Sequence, residues 1–338
     1  MTNNGKNMTA RILQSGHAKS GNFWLYRIIK EARTLAGVET KSWISDQPIF
    51  ETAKDWKVAN REQIGIDTVD ITESDVFYRI STYHRERIDN VDSYLAAGNH
   101  VWTHSLWEPS QAEFYRKFDK IVYVVRDPRD TSLSKANFAF TDYVKSRNRH
   151  AENSPDEYLA NRLAGSTITW VRHVARHLQY QHEFRIHFVF FERLLNDTDD
   201  ELRRLLDYLE LDLNDEKFAE LKSTITFSSM KERDPEHVSS GQSGTWRTKL
   251  TDTQKKLVVR LAGPLLEKLN YPLDQDDQRL PQLPESPITA KFANTAVARS
   301  RGTLWDKAAL ALSLLRSRRP LSQKLSKGFR FLLNRSVQ

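Results

Sequence analysis

Ser15-Gly16-His17-Ala18-Lys19-Ser20-Gly21-Asn22-Phe23-Trp24 constrains this chain more than any other stretch. It follows the apolar pair Ile12-Leu13 and runs into Trp24, Leu25, Ile28, Ile29 and Leu35, which share one helix face. The order is strand, glycine-containing loop, helix. Glycines let the backbone turn tightly and bring its N–H groups close to an anion, beside the positive end of the helix dipole. The same pair of glycines also serves an ordinary strand-to-helix turn, and Lys19 between them favours the phosphate reading. A Walker A loop has Lys and then Ser/Thr after its second glycine, the hydroxyl holding Mg²⁺. Asn22-Phe23 follow Gly21 here. The loop therefore predicts an anion site without a metal-nucleotide.

At 338 residues and 39% apolar content the chain can bury a full core, read here as one large domain with an appendage. It has no cysteine, which excludes disulfides and thiolate metal sites and is compatible with a reducing cytoplasm. Residues 1–10 are polar and lack the apolar core of a signal peptide. Of the net charge of +7, the tail 297–338 holds +9, ten Lys and Arg against Asp306 alone. The body keeps 41 basic and 43 acidic residues, a net −2, which does not support a nucleic-acid-binding body.

Lys120-Ile121-Val122-Tyr123-Val124-Val125 is an uninterrupted apolar run suited to a strand buried on both faces. Further strands are predicted at Val76–Ile80, His100–Thr103 and Ile186–Phe191. Helices are predicted from Asp89 to Ala97, from an Asp130 cap through Phe140, from Asp156 to His182 and over Glu201–Leu209. Residues 41–75 show no sustained period and read as loops and short helices. The alternation implies an α/β fold, a P-loop-like doubly wound parallel sheet flanked by helices, with ligands at the carboxyl ends of strands. Pro272, Pro281, Pro284 and Pro287 mark a linker over 272–296 after a body spanning 11–271.

Four segments in one order carry a family resemblance. Lys19-Ser20-Gly21-Asn22-Phe23-Trp24 resembles the 5′-phosphosulfate loop of the cytosolic-type sulfotransferases that use 3′-phosphoadenosine 5′-phosphosulfate (PAPS), usually Pro-Lys-Ser-Gly-Thr-Thr-Trp. Arg126-Asp127-Pro128-Arg129-Asp130, with Ser134 beyond it, is similar to their 3′-phosphate motif. Thr103-His104 resembles the Lys-Thr-His-Leu segment that carries the base, and Gly241-Gln242-Ser243-Gly244-Thr245-Trp246-Arg247 the late Gly-x-x-Gly-x-Trp loop. The resemblance spans Ile12 to about Tyr271. It implies metal-independent sulfuryl transfer from PAPS to a small-molecule, carbohydrate or lipid hydroxyl, releasing 3′-phosphoadenosine 5′-phosphate (PAP). By resemblance, Lys19 meets the bridging oxygen, and loop amides from Ser20 through Trp24 hold the 5′-phosphate. Arg126 and Ser134 bind the 3′-phosphate. Trp24 and Phe227 sandwich the adenine beside Met230, and Gly241 and Arg247 of the late loop are further cofactor-binding positions.

His104 is the candidate base because an imidazole accepts a proton near neutrality. His173 and His177 lie one helical turn apart without a His-Glu-x-x-His pattern and read as packing or surface residues. The chain departs from the family at Trp102, where a Lys is common, at Asn22-Phe23, at Ser239-Ser240 in place of Arg-Lys, and at Phe191 in place of Tyr. The family's dimerisation signature is not intact over Arg247–Gln254. An ATP-dependent phosphotransferase and a non-catalytic, membrane-attached PAP(S)-binding protein are the competing readings. The tail 297–338 carries two cationic amphipathic stripes, Leu304 to Leu315 and Leu321 to Leu332, joined at Arg318-Arg319-Pro320. They are too short to span a bilayer, and suit an interfacial anchor on anionic lipid or docking on the body. The expected location is cytoplasmic, with a peripheral membrane contact.

Overall fold

A computed structural model of the chain describes residues 10–58, 60–146, 152–226 and 241–300. Seven strands form its sheet: β1 (Ile12–Gly16), β2 (Asp67–Ile71), β3 (Val76–Ile80), β4 (His84–Arg87), β5 (His100–Thr103), β6 (Lys120–Val125) and β7 (His187–Phe190). The principal helices are α1 (Asn22–Leu35), α2 (Val91–Ala97), α3 (Pro128–Ala139), α4 (Pro155–Gln179), α5 (Thr198–Leu209), α6 (Asp252–Lys268) and α7 (Ala290–Ser300). The strand order is β4-β3-β2-β5-β1-β6-β7. β2, β5, β1, β6 and β7 run parallel, and β3 and β4 add an antiparallel edge. β1 is the middle of the five parallel strands, where the chain's excursions diverge to the two sides of the sheet. Ligands favour the crevice outside such a point.

The apolar run of β6 is explained by burial on both faces. Ile121, Tyr123 and Val125 join Leu13, Trp170, Val174, Leu265 and Val297 in the core under α4, α6 and α7. Val122 and Val124 join Ile12, Leu25, Ile28, Leu205 and Leu209 in the core under α1 and α5. α4 starts at a Ser154 cap, whose side chain accepts from Glu157 N, with Pro155 in the first turn. Its buried face includes Trp170, His173, Val174 and His177, so both histidines are packing residues.

The structure corrects several expectations. β2 lies inside the stretch read as loops. Its polar residues obscured the alternation, and Asp67 is buried where it accepts hydrogen bonds from Trp43 N and Ile44 N at 2.8 and 2.9 Å. The cap of α3 is Asp127, which accepts from Arg129 N at 2.8 Å. Asp130 instead accepts from Gly244 N, Thr245 Oγ1 and Trp246 N at 2.6, 2.7 and 3.0 Å. α7 begins at Ala290, within the stretch read as linker, and buries Ala293, Ala296, Val297 and Ser300 against the body. The proline-containing segment before it is tied down as well, Gln282 N donating to Leu269 O at 3.0 Å. The tail from 301 onward, with both of its apolar stripes, lies outside the described residues.

Candidate active site

The loop after β1 is held by contacts that leave no room for side chains at its two glycines. A Cβ on Gly16 would stand 2.4 Å from Asn22 Oδ1 and 2.7 Å from Val124 Cγ1. Gly21 has φ 94°, and a Cβ there would meet the Phe191 ring at 2.5 Å. Lys19 is also left-handed, with φ 70°. Only glycine enters that region without strain, so the Lys19 backbone is held there by its surroundings. Asn22 supplies one brace, its Nδ2 donating to His17 O at 2.9 Å, and Ser20 N donates to the same carbonyl at 3.2 Å. No side chain caps α1, and no acidic residue stands in its first turn. An anion is the complement of such a helix start.

Three adjacent strands, β5, β1 and β6, end side by side at this loop. A cleft of about 280 Å³ opens there, and Lys19, Gly21, Asn22, Phe23, Trp24, His104, Arg126, Ser134, Phe191 and Gly241 all line it. Burial, and next the charge of Arg126, lowers Lys19 to about 8. Its ammonium sits 4.2 Å from the Phe138 ring centroid. Arg126 is buried, stacks 4.0 Å from the Phe191 centroid, and donates to Gln242 O at 2.9 Å and Lys19 O at 3.4 Å. Its Nε is buried without a hydrogen bond, as is Ser20 Oγ. Two buried donors left over beside a helix start fit a multiply charged phosphate ligand, since polar groups of this kind are normally satisfied.

His104 stands at the end of β5. Its Nδ1 lies 2.7 Å from Gly16 O, and because a carbonyl only accepts, the proton is on Nδ1. Nε2 of the neutral ring then carries the lone pair. Burial is the main cause that lowers His104 to about 4, opposed by the Gly16 bond. The ring is therefore neutral across the physiological range.

The family departures have local explanations. Phe23 and Trp102 pack together with Tyr26 and Ile66, so the two substitutions form one apolar cluster. Trp24 Nε1 donates to Ile225 O at 2.8 Å, and its ring meets Phe191 edge-on at 5.5 Å. Phe227, Met230, Ser239 and Ser240 lie outside the described residues. Arg247 is not in the cleft. Its guanidinium donates to Gln275 O and Asp277 O at 3.1 and 2.8 Å, on the far side of the Gly244 turn.

Lys135 and His17 escaped the sequence reading. Lys135 Nζ donates to His17 Nε2 at 2.9 Å and to Ser166 Oγ at 3.2 Å, and burial lowers Lys135 to about 8. Burial and the Lys135 charge push His17 well below the usual imidazole range. The pair ties α3 to the loop. The position of Lys135, next to Ser134 on the first helix after β6, was the available signal. Among the described residues, no group of three or more His, Asp or Glu is placed to hold a metal ion.

Comparison with known proteins agrees with this architecture. The model of the sulfotransferase domain family matches residues 10–269. An amine sulfotransferase of Oryctolagus cuniculus is 27% identical over 112 residues, 33% of this chain and 36% of that protein. Sulfotransferase 1 family member D1 of Mus musculus is 26% identical over 172 residues, 46% of this chain and 57% of that protein. The chain thus spans about a third to three fifths of these relatives. Retinol dehydratase in a complex with retinol and PAP superposes with a TM-score of 0.53 at 17% identity, covering 81% of this chain and 85% of that one. Mouse sulfotransferase SULT7A1 complexed with PAP gives 0.50 at 16% identity, covering 78% and 89%. At such identity the structural likeness is one of fold. With its loop, sheet order and cleft, and a family match over most of its length, the chain belongs to the sulfotransferase domain family.

Proposed function

We propose that this protein transfers the sulfuryl group of PAPS to a hydroxyl acceptor and releases PAP. The observation that carries the reading is the convergence of Lys19, His104 and Arg126, from the ends of three adjacent parallel strands, on one cleft. PAP in the complexes of the two structural relatives supports the same donor.

His104 Nε2 takes the proton of the acceptor hydroxyl while its oxygen bonds to sulfur. The bond from sulfur to the bridging phosphate oxygen breaks, and the electron pair stays on the phosphate. Lys19 faces that growing charge from the loop. A cation in a site shielded from water stabilises it more than water would. Ser20 Oγ and the start of α1 hold the 5′-phosphate. Arg126 and Ser134 hold the 3′-phosphate, the group absent from AMP. The Nδ1 bond to Gly16 O fixes the His104 ring so that Nε2 stays the acceptor.

The reading is tested by nucleotide-dependent stabilisation. PAP raises the melting temperature far more than AMP at equal concentration, by mass-action linkage, and Arg126→Ala together with Ser134→Ala removes the difference. Equal shifts from the two nucleotides in the wild type contradict the 3′-phosphate assignment.

A further inference from the structure

The cleft has a second end, lined by Thr68, Arg79, Ser81 and Thr82, to which the proposed donor reading assigns no residue. Thr68 of β2 is in register with both Arg79 of β3 and Trp102 of β5. Residues paired across strands share a face of the sheet, so Arg79, Thr68 and Trp102 form one row, and all three line the cleft with His104. The strand order sets β2 and β3 on one side of β5, and β1 and β6 on the other. Lys19 and Arg126 therefore lie across His104 from Arg79. β3 and β6 are four strand spacings apart, ~19 Å between backbones, and Arg126 is turned to Lys19 O, Gln242 O and the Phe191 ring.

Arg79 is incompletely neutralised. Its Nε lies 3.3 Å from Asp70 Oδ1 and makes no hydrogen bond, while Asp70 Oδ2 is taken by Arg85 Nε at 3.1 Å. One carboxylate thus serves two guanidiniums. Among the described residues lining the cleft there is no Asp or Glu, and the charged ones are Lys19, Arg79 and Arg126. The wall around Arg79 is polar. Tyr143 bonds through its hydroxyl to Ser81 Oγ and to Thr82 Oγ1, joining the β3–β4 turn to the segment after α3.

We propose that Arg79 selects acceptors carrying an anionic group, a carboxylate, sulfate or phosphate, two strand spacings or roughly 10 Å from the hydroxyl that meets His104. This inference rests on the sulfuryl-transfer reading for the hydroxyl end alone; the anion site stands on the cleft itself. The charge of Arg79 also contributes to the lowering of His104, as expected of a cation at that end of the cleft.

The test titrates the full chain, with and without PAP, against a graded series of ω-hydroxyalkanoates and their methyl esters. The acids bind about tenfold or more tightly than the esters, with an optimum at the length spanning roughly 10 Å. Arg79→Gln abolishes the preference and Arg79→Lys retains part of it. PAP affinity is the same in all three proteins, which also reports that each is folded. Equal binding of acid and ester, a preference that survives Arg79→Gln, or no binding of any acid overturns the proposal. Loss of PAP binding in the wild type, with the acid preference intact, would instead overturn the donor assignment and leave the anion site standing.

Discussion

In the roles proposed for them, His104 and Lys19 lose their working protonation states in opposite directions of pH. His104 must be neutral to accept a proton, so activity falls as pH drops through about 4. Lys19 must be charged to face the leaving phosphate, so activity falls as pH rises through about 8. The kcat/KM profile for PAPS, which reports the free enzyme, is therefore a bell with those limbs. An acid limb near the ordinary imidazole value would contradict the buried, Gly16-bonded geometry. At this scale the sequence was informative wherever a residue's place in the cleft follows from its neighbours in the chain. Lys19, His104 and Arg126 each stand at the end of a strand that composition reveals. Arg247 was misplaced for the opposite reason: its direction is set by carbonyls of Gln275 and Asp277, distant in sequence. Lys135 had only its place beside Ser134 to point to it, because the fold alone brings it to His17.

Among elements, α3 is the hub of the site. Its cap, Asp127, lies in a buried ion pair with Arg129 at 2.6 Å, and Arg129 Nη2 reaches Pro272 O at 2.6 Å. One turn into the helix, Asp130 gathers three donors from the Gly244–Trp246 turn. Asp130→Ala leaves two backbone N–H groups and a hydroxyl without their acceptor. It should destabilise the protein by about 2–4 kcal/mol in urea unfolding and weaken PAP binding through the loosened Gly241 segment. A change under about 0.5 kcal/mol, within the range of a surface substitution, would show that the turn is held by other contacts. The cap was readable from Pro128 alone, since proline favours the first helical position and makes the preceding residue the cap. β6 was legible because both its faces are buried in apolar cores. β2 was not, because the burial of Asp67 depends on N–H groups that the Trp43–Ile44 turn supplies from another part of the chain. β4, His-Arg-Glu-Arg with three of its four residues exposed, carries no apolar pattern to read.

For the whole molecule, the proposed donor residues stand at β1 and β6 and the proposed acceptor residues at β5, β2 and β3, so strand order is what would separate the two halves of the reaction. The antiparallel edge of β3 and β4 supplies Arg79 to the second half. The other large-scale question is the basic tail. No described helix is long and apolar enough to cross a membrane. α7 is packed on α4 and α6, so a truncation that tests the tail should end at Ser300 and keep it. If the remaining segment is an interfacial anchor, the full chain co-sediments with anionic vesicles at low salt and the shortened chain stays in the supernatant. Both chains remaining in the supernatant would favour docking on the body, whose net charge through residue 296 is −2.

The central claim is tested most directly by following labelled sulfur from PAPS into a panel of hydroxyl acceptors, anionic ones included, without added metal. Label is expected in an acceptor, with one PAP released per transfer. His104→Ala should lower kcat by roughly 10²–10⁴-fold and Lys19→Ala by roughly 10²–10³-fold, with both variants melting near the wild type. Transfer at the wild-type rate by folded Lys19→Ala would contradict the claim, as would PAP binding without transfer to any acceptor.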